Sequence, residues 1–151
     1  MKNIISVLIL IVISIGLVTD LNAQQNTPAE YWDSLTDGEK LAFVNGAYTA
    51  VSRMKSFHME EVKMQYGHDP YWREPYFVER FYQILDQHLA EGVGYNIDII
   101  AQAMDALYAN FDNVRIPIIE ALRIVSTAQD GEQQKANVLL LKAQRQYRPE
   151  D

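Results

Sequence analysis

Between Ile97 and Val125 the apolar residues recur at steps of three and four, and that periodicity limits this stretch to helix more firmly than any other feature of the chain. Ile97, Ile100, Ala101, Met104, Leu107 and Tyr108 share one helical face, while Asp98, Gln102, Asp105 and Ala109 fall on another stripe. A second apolar run, Ile118, Ile119, Leu122 and Val125, follows Pro117, and Asn110-Phe111-Asp112-Asn113 lies between the two. The pattern predicts a helical hairpin with a polar elbow, opened by Asn96 as a cap.

The flanking segments carry the same helical grammar. Thr27-Pro28-Ala29-Glu30 and Thr36-Asp37-Gly38-Glu39 each place a hydroxyl three residues before a glutamate, the arrangement that satisfies exposed amide donors at a helix start. The first opens a short helix with Tyr31, Trp32 and Leu35. The second opens the longest helix, to Gly67, with Leu41, Val44, Tyr48, Val51, Met59, Val62 and Tyr66 near one face and Lys55 as the exception. Gly46 within it marks either a close backbone approach or a tolerated glycine. Two prolines and two glycine-flanked turns then punctuate the chain: Gly67–Pro75 is a loop, a helix over 75–90 presents Phe77, Val78, Phe81, Tyr82, Leu85 and Leu89, and Gly92-Val93-Gly94 ends it. Helices are expected over 117–128 and 136–146, the latter capped from Asp130-Gly131-Glu132-Gln133 with Val138, Leu139 and Leu140 inward and a fraying tail from Arg145. No polar–apolar alternation bounded by hairpin turns occurs. The expected fold class is all-α, a compact bundle of about five helices around the central hairpin.

Residues 1–23 read as an export signal: Lys2 is followed by the apolar run Ile4–Val18 and by Leu21-Asn22-Ala23, which ends on the small residue a signal peptidase requires. The run is shorter than the ~20 residues of an upright membrane span. A single helical domain over 24–151 is expected, with no stable membrane insertion once the signal is removed. Zero cysteines exclude disulfides, thiol catalysis and thiolate metal sites. The net charge of −7 disfavours nucleic acid and anionic lipid as partners. Together these features suit a bacterial periplasmic or secreted protein.

Candidate chemistry is sparse. The three histidines, His58, His68 and His88, each stand beside acids, but none has the spacing of a zinc or di-iron helix, so no metal or cofactor is expected. The mature serines lack the glycines of a nucleophile elbow, and no catalytic residue is assigned. Asp98 and Asp105 share a stripe about 10 Å apart along the axis, either as a wet face or as part of a carboxylate pair. The loop from Tyr66 to Phe77 is the leading interaction candidate. Tyr71, Trp72 and Tyr76, held by Pro70 and Pro75 with His68 and Arg73 as donors, form either a rigid contact surface or a lid folded onto the bundle. The elbow is the second candidate. Either Asp112 or Asn113 simply caps the following backbone, or Asp105, Tyr108, Asn113 and Arg115 form a small polar pocket at one end of the hairpin.

Trp32-x-x-Leu35-x-x-x-Glu39-Lys40 with Val44-x-Gly46-x-Tyr48, and Met104-Asp105-Ala106-Leu107-Tyr108 with Asn113-x-x-Ile116-Pro117, resemble a group of small exported bacterial helical proteins of unassigned function. The first segment is also faintly similar to type VI amidase-immunity proteins, which are small periplasmic helical inhibitors, although those usually carry cysteines. The resemblance covers about a third of the mature chain, and it implies export and helices but no catalytic residue. The combined expectation is a non-enzymatic exported protein that binds an envelope or secreted protein, or another envelope ligand, through the aromatic loop and the elbow. A carboxylate-based envelope hydrolase and a structural subunit of an envelope assembly are the alternatives, and the oligomeric state is left open.

Overall fold

The computed structural model describes residues 26–90 and 96–148. The signal-like segment and Gly92-Val93-Gly94 lie outside the described residues. Among the described residues six α-helices follow one another: α1 (Pro28–Ser34), α2 (Asp37–Tyr66), α3 (Tyr76–Asp86), α4 (Ile97–Tyr108), α5 (Ile118–Gln129) and α6 (Gln133–Gln146), with a 3₁₀ turn at Phe111–Asn113. The fold is all-α.

Both expected capping boxes form. Thr27 Oγ1 accepts from the Glu30 amide and Thr36 Oγ1 from the Glu39 amide, while each glutamate accepts from the amide of its threonine. The bonds from Thr36 hold the Glu39 carboxyl below its usual range. Asn96 caps α4 by accepting from Asp98 and Ile99. The third expected box does not form. Glu132 is the N-cap residue of α6 and its side chain makes no cap bond, because Asp130 already ends α5 and Gly131 turns the chain at φ 82°.

The central hairpin packs as its periodicity requires. Ile100, Ala101, Met104 and Tyr108 of α4 are buried against Ala121, Leu122, Ile124 and Val125 of α5, with α6 on the other side of α5. Val138 of α6 is 65% exposed, and the inward residues are Ala136, Leu139, Leu140 and Ala143. Tyr147 also packs on the core, so the segment expected to fray is helix as far as Gln146. α3 stops at Asp86, before the expected end, because the chain turns there to bring Leu89 and Ala90 into the core. That turn is pinned by buried Gln87, whose side-chain oxygen accepts two bonds from Arg123.

α2 is longer than the core it serves. Val44 and Tyr48 are buried in the core and Val51 packs at its edge, but no residue from 52 to 66 belongs to it. At 1.5 Å per residue those positions extend about 22 Å beyond the bundle. Among the described residues α3 packs on them, through a His58 Nδ1–Tyr82 hydroxyl contact of 2.9 Å and a Lys55–Asp86 ion pair, and the loop before α3 covers their end. Met59 and Tyr66, expected inward, are accordingly 49% and 45% exposed, and Phe77 of α3, expected on its inner face, is 72% exposed.

Gly46 lies on the exposed side of α2, and a Cβ there would meet nothing within 4 Å. It is the tolerated glycine rather than a close approach. Gly46→Ala is expected to raise stability in urea unfolding by about 0.5–1 kcal/mol through the lower entropy of the unfolded chain.

Candidate functional site

The candidate residues separate into two places at different ends of the fold. The first is the arm formed by the outer half of α2, the 67–75 loop and α3. Gly67 ends α2 with its amide bonded to the Lys63 carbonyl, and Asp69 then builds a turn by accepting the Tyr71 amide at 2.8 Å. Trp72 folds back and stacks on Tyr66, with centroids 5.6 Å apart and planes 8° from parallel. This stack holds the loop against the end of α2. Tyr71 and Tyr76 point outward, 88% and 74% exposed, with Phe77 beside them. Arg73 donates to the carbonyl of Trp72, and His68 is exposed. The loop is thus both fastened and displayed: the tryptophan is spent on the arm's own rigidity and the tyrosines are left free.

The second place is the elbow, and there the four polar candidates do not all converge: Tyr108 and Arg115 line one cleft, and Asp105 and Asn113 do not line it. Asp105 lies on the outer stripe of α4, where its Oδ1 accepts from the indole N–H of Trp32 at 2.7 Å and from Lys40 Nζ at 2.8 Å. Trp32 is fully buried, with the Lys40 ammonium 5.6 Å from its ring centroid and Phe43 edge-on at 6.0 Å. Tyr108 donates its buried hydroxyl to the Ile116 carbonyl at 2.8 Å, and burial raises its pKa above the usual phenol range. Asn113 donates to the Leu107 carbonyl at the end of α4 and accepts from Gln144 of α6 at 2.9 Å, so it ties the elbow to the last helix. The turn is capped by Asn110, which accepts the Asp112 amide. Tyr48 and Ser126 add a buried hydroxyl pair at 2.7 Å between α2 and α5, and burial pushes the Tyr48 phenol up to about 12.

Arg115 alone of the elbow's charged candidates faces a cavity. A half-open cleft of about 750 Å³ lies between the start of α1, the elbow and the end of α6. Its lining includes Tyr108, Phe111 and Tyr147, together with Arg115, Arg145 and Arg148 against Glu30, Asp33 and Asp112. The equal numbers of opposite charges give the cleft no net sign. Among the described residues no group of three or more histidine and carboxylate side chains could hold a metal ion, and no helix is long and apolar enough to cross a membrane.

Two sets of residues escaped the sequence reading. The α6 residues of the cleft come from the far end of the chain and carry no sequence signal that joins them to Arg115. Met54, Phe57 and Met64 are 60%, 52% and 59% exposed on the back of α2, and their three-and-four spacing with Glu61 was legible as a second stripe beside the core-facing one. No protein-family model, curated protein or solved structure matches the chain.

The bonds of Asp105 join three helices. Asp105→Ala leaves a buried indole donor and a lysine without their acceptor, and urea unfolding is expected to record a loss of about 1–3 kcal/mol. Asp105→Asn keeps an acceptor for Trp32 and gives up an exposed ion pair worth at most about 1 kcal/mol, so it should lose clearly less. Equal losses would contradict this assignment.

Proposed function

We propose that this chain is an exported, non-enzymatic helical protein that binds another protein of the envelope or the secreted milieu through its aromatic arm. The observation that carries the reading is the exposure of Tyr71, Tyr76 and Phe77, each above 70%, the first on a loop whose backbone is fastened by the Tyr66–Trp72 stack and the Asp69 turn and the other two on the first turn of α3 that follows it. Large aromatic groups held still lose little entropy on binding and dominate the energetics of protein interfaces. Nothing in the arm's own packing requires them: the fold's core ends at Val51 on one side and resumes at Leu89 on the other. An apolar patch kept exposed without a folding role marks an interaction surface.

The elbow takes a smaller part in this reading. Asp105, Tyr108 and Asn113 are engaged in bonds that build the bundle, which leaves Arg115 at the cleft as the elbow residue free to touch a ligand. The same bond geometry counts against hydrolysis by Asp105, because its oxygen is held by Trp32 and Lys40 and it does not line the cleft. Export is retained from the character of residues 1–23.

The reading is tested by capture from envelope extract with the protein and its Tyr71→Ala and Trp72→Ala variants as baits, read by mass spectrometry. Removing Tyr71 deletes contact surface without touching the fold, and removing Trp72 frees the loop. Each is expected to lower the affinity for the captured partner about tenfold or more, the size of a hot-spot loss above 1.4 kcal/mol. Capture undiminished in both variants would contradict the proposal.

A further inference from the structure

A flank of α2 turned away from α3 carries a stripe with strict four-and-three spacing, Ala50, Met54, Phe57, Glu61 and Met64, which continues from Ala47, a half-buried residue at the edge of the core. This is the spacing of a two-helix seam. Met54, Phe57 and Met64 are all more than half exposed, and no element of the described chain covers them. We propose that this seam is a homodimer interface in which the α2 helices of two copies pair antiparallel, Met54 of each against Phe57 of the other.

The residues decide both the occupant and the direction. A twofold pairing requires a surface complementary to itself, and α2 meets that requirement when its partner runs the opposite way. With Met54 against Phe57, Ala47 falls opposite Met64 and Ala50 opposite Glu61, so small residues face long ones along the seam. The same register lays Arg53 of each chain beside Glu60 of the other. Within one chain these two lie seven residues apart, about 10 Å along the axis, and among the described residues neither has an ion-pair partner. Arg53 instead lies 4.0 Å over its own Phe57 ring, where the guanidinium flanks the centre of the seam. A parallel pairing would bring Glu61 against Glu61 in the seam, a like-charge contact, and would set Arg53 beside His58 instead of a carboxylate. The antiparallel register turns the two glutamate–arginine neighbours into attractions. The seam lies on the opposite side of α2 from Tyr66 and Trp72, so it is separate from the proposed partner surface.

The test is the molar mass of the whole protein, expressed from its full sequence and purified as the host leaves it, measured by size exclusion with light scattering across a hundredfold range of concentration. The expected result is a rise from monomer to dimer. Phe57→Glu should remain monomeric throughout with unchanged helical circular dichroism. Arg53→Glu and Glu60→Arg should each weaken dimerisation about tenfold, and the double exchange, which restores opposite charges across the interface, should recover it. Trp72→Ala should dimerise like the parent, which separates failure of this seam from failure of the aromatic loop. A monomer at every concentration, a dimer that survives Phe57→Glu or is lost in Trp72→Ala, or a double exchange that recovers nothing would overturn the proposal. So would a monomer that holds a different protein on this face.

Discussion

Burying an indole obliges a fold to provide an acceptor for its N–H, and here that acceptor is an aspartate seventy-three residues away. Trp32 brings α1 into the core, Asp105 sits on α4, and Lys40, which bonds the same carboxylate oxygen, belongs to the first turns of α2. One oxygen therefore sets the relative positions of three helices. The ion pair itself is exposed on the aspartate side and adds little. The buried donor matters more, because leaving it unpaired costs the full desolvation of the group. The bonds from Tyr108 to Ile116 and from Asn113 to Leu107 and Gln144 extend the same arrangement to the elbow and the last helix. The hydrogen-bonding groups of Trp32, Asp105, Tyr108 and Asn113 are thus engaged in building the fold.

The other end is organised in the opposite way. A helix of 30 residues is not covered along its length by neighbouring helices of 12 and 11, so among the described residues half of α2 packs on α3 and the loop before it rather than on the core. The contacts between them are a histidine–tyrosine bond, a surface ion pair and two buried residues, Val78 and Tyr82. Such a pair has little reason to retain Met54, Phe57, Met64, Tyr71, Tyr76 and Phe77 on its outside unless other surfaces meet them. The interaction readings for the aromatic loop and for the back of α2 both follow from this mismatch between helix length and core size.

Much of this was legible in the chain. The capping boxes at Thr27 and Thr36, the cap at Asn96 and the burial of the α4 face follow from local rules, because their partners lie within four residues or one helical period. The same rules failed where coverage is set by distant elements. Met59 and Tyr66 continue the inward stripe of α2 but outlast the core, and Val138 opens an apolar run in which Leu139 and Leu140 pack on the core and it does not. The site residues show the limit more sharply. Asp105, Tyr108 and Asn113 offered a pocket as the alternative to a simple cap because they are polar, close in sequence and positioned at a helix end. Their partners, Trp32, Ile116, Leu107 and Gln144, are chosen by the tertiary fold, and no spacing in the sequence joins Asp105 to Trp32.

The central claim is that a clamped bundle carries an arm whose exposed surface does not contribute to folding. Hydrogen exchange of backbone amides, read by mass spectrometry on dilute protein, tests it directly. Amides of α4 and α5 should exchange only through global unfolding, while those of 54–66 and α3 should exchange through local opening at a distinctly lower free energy. Equal protection of the arm and the α4–α5 hairpin would show that the arm is part of the cooperative core, and the account would fail.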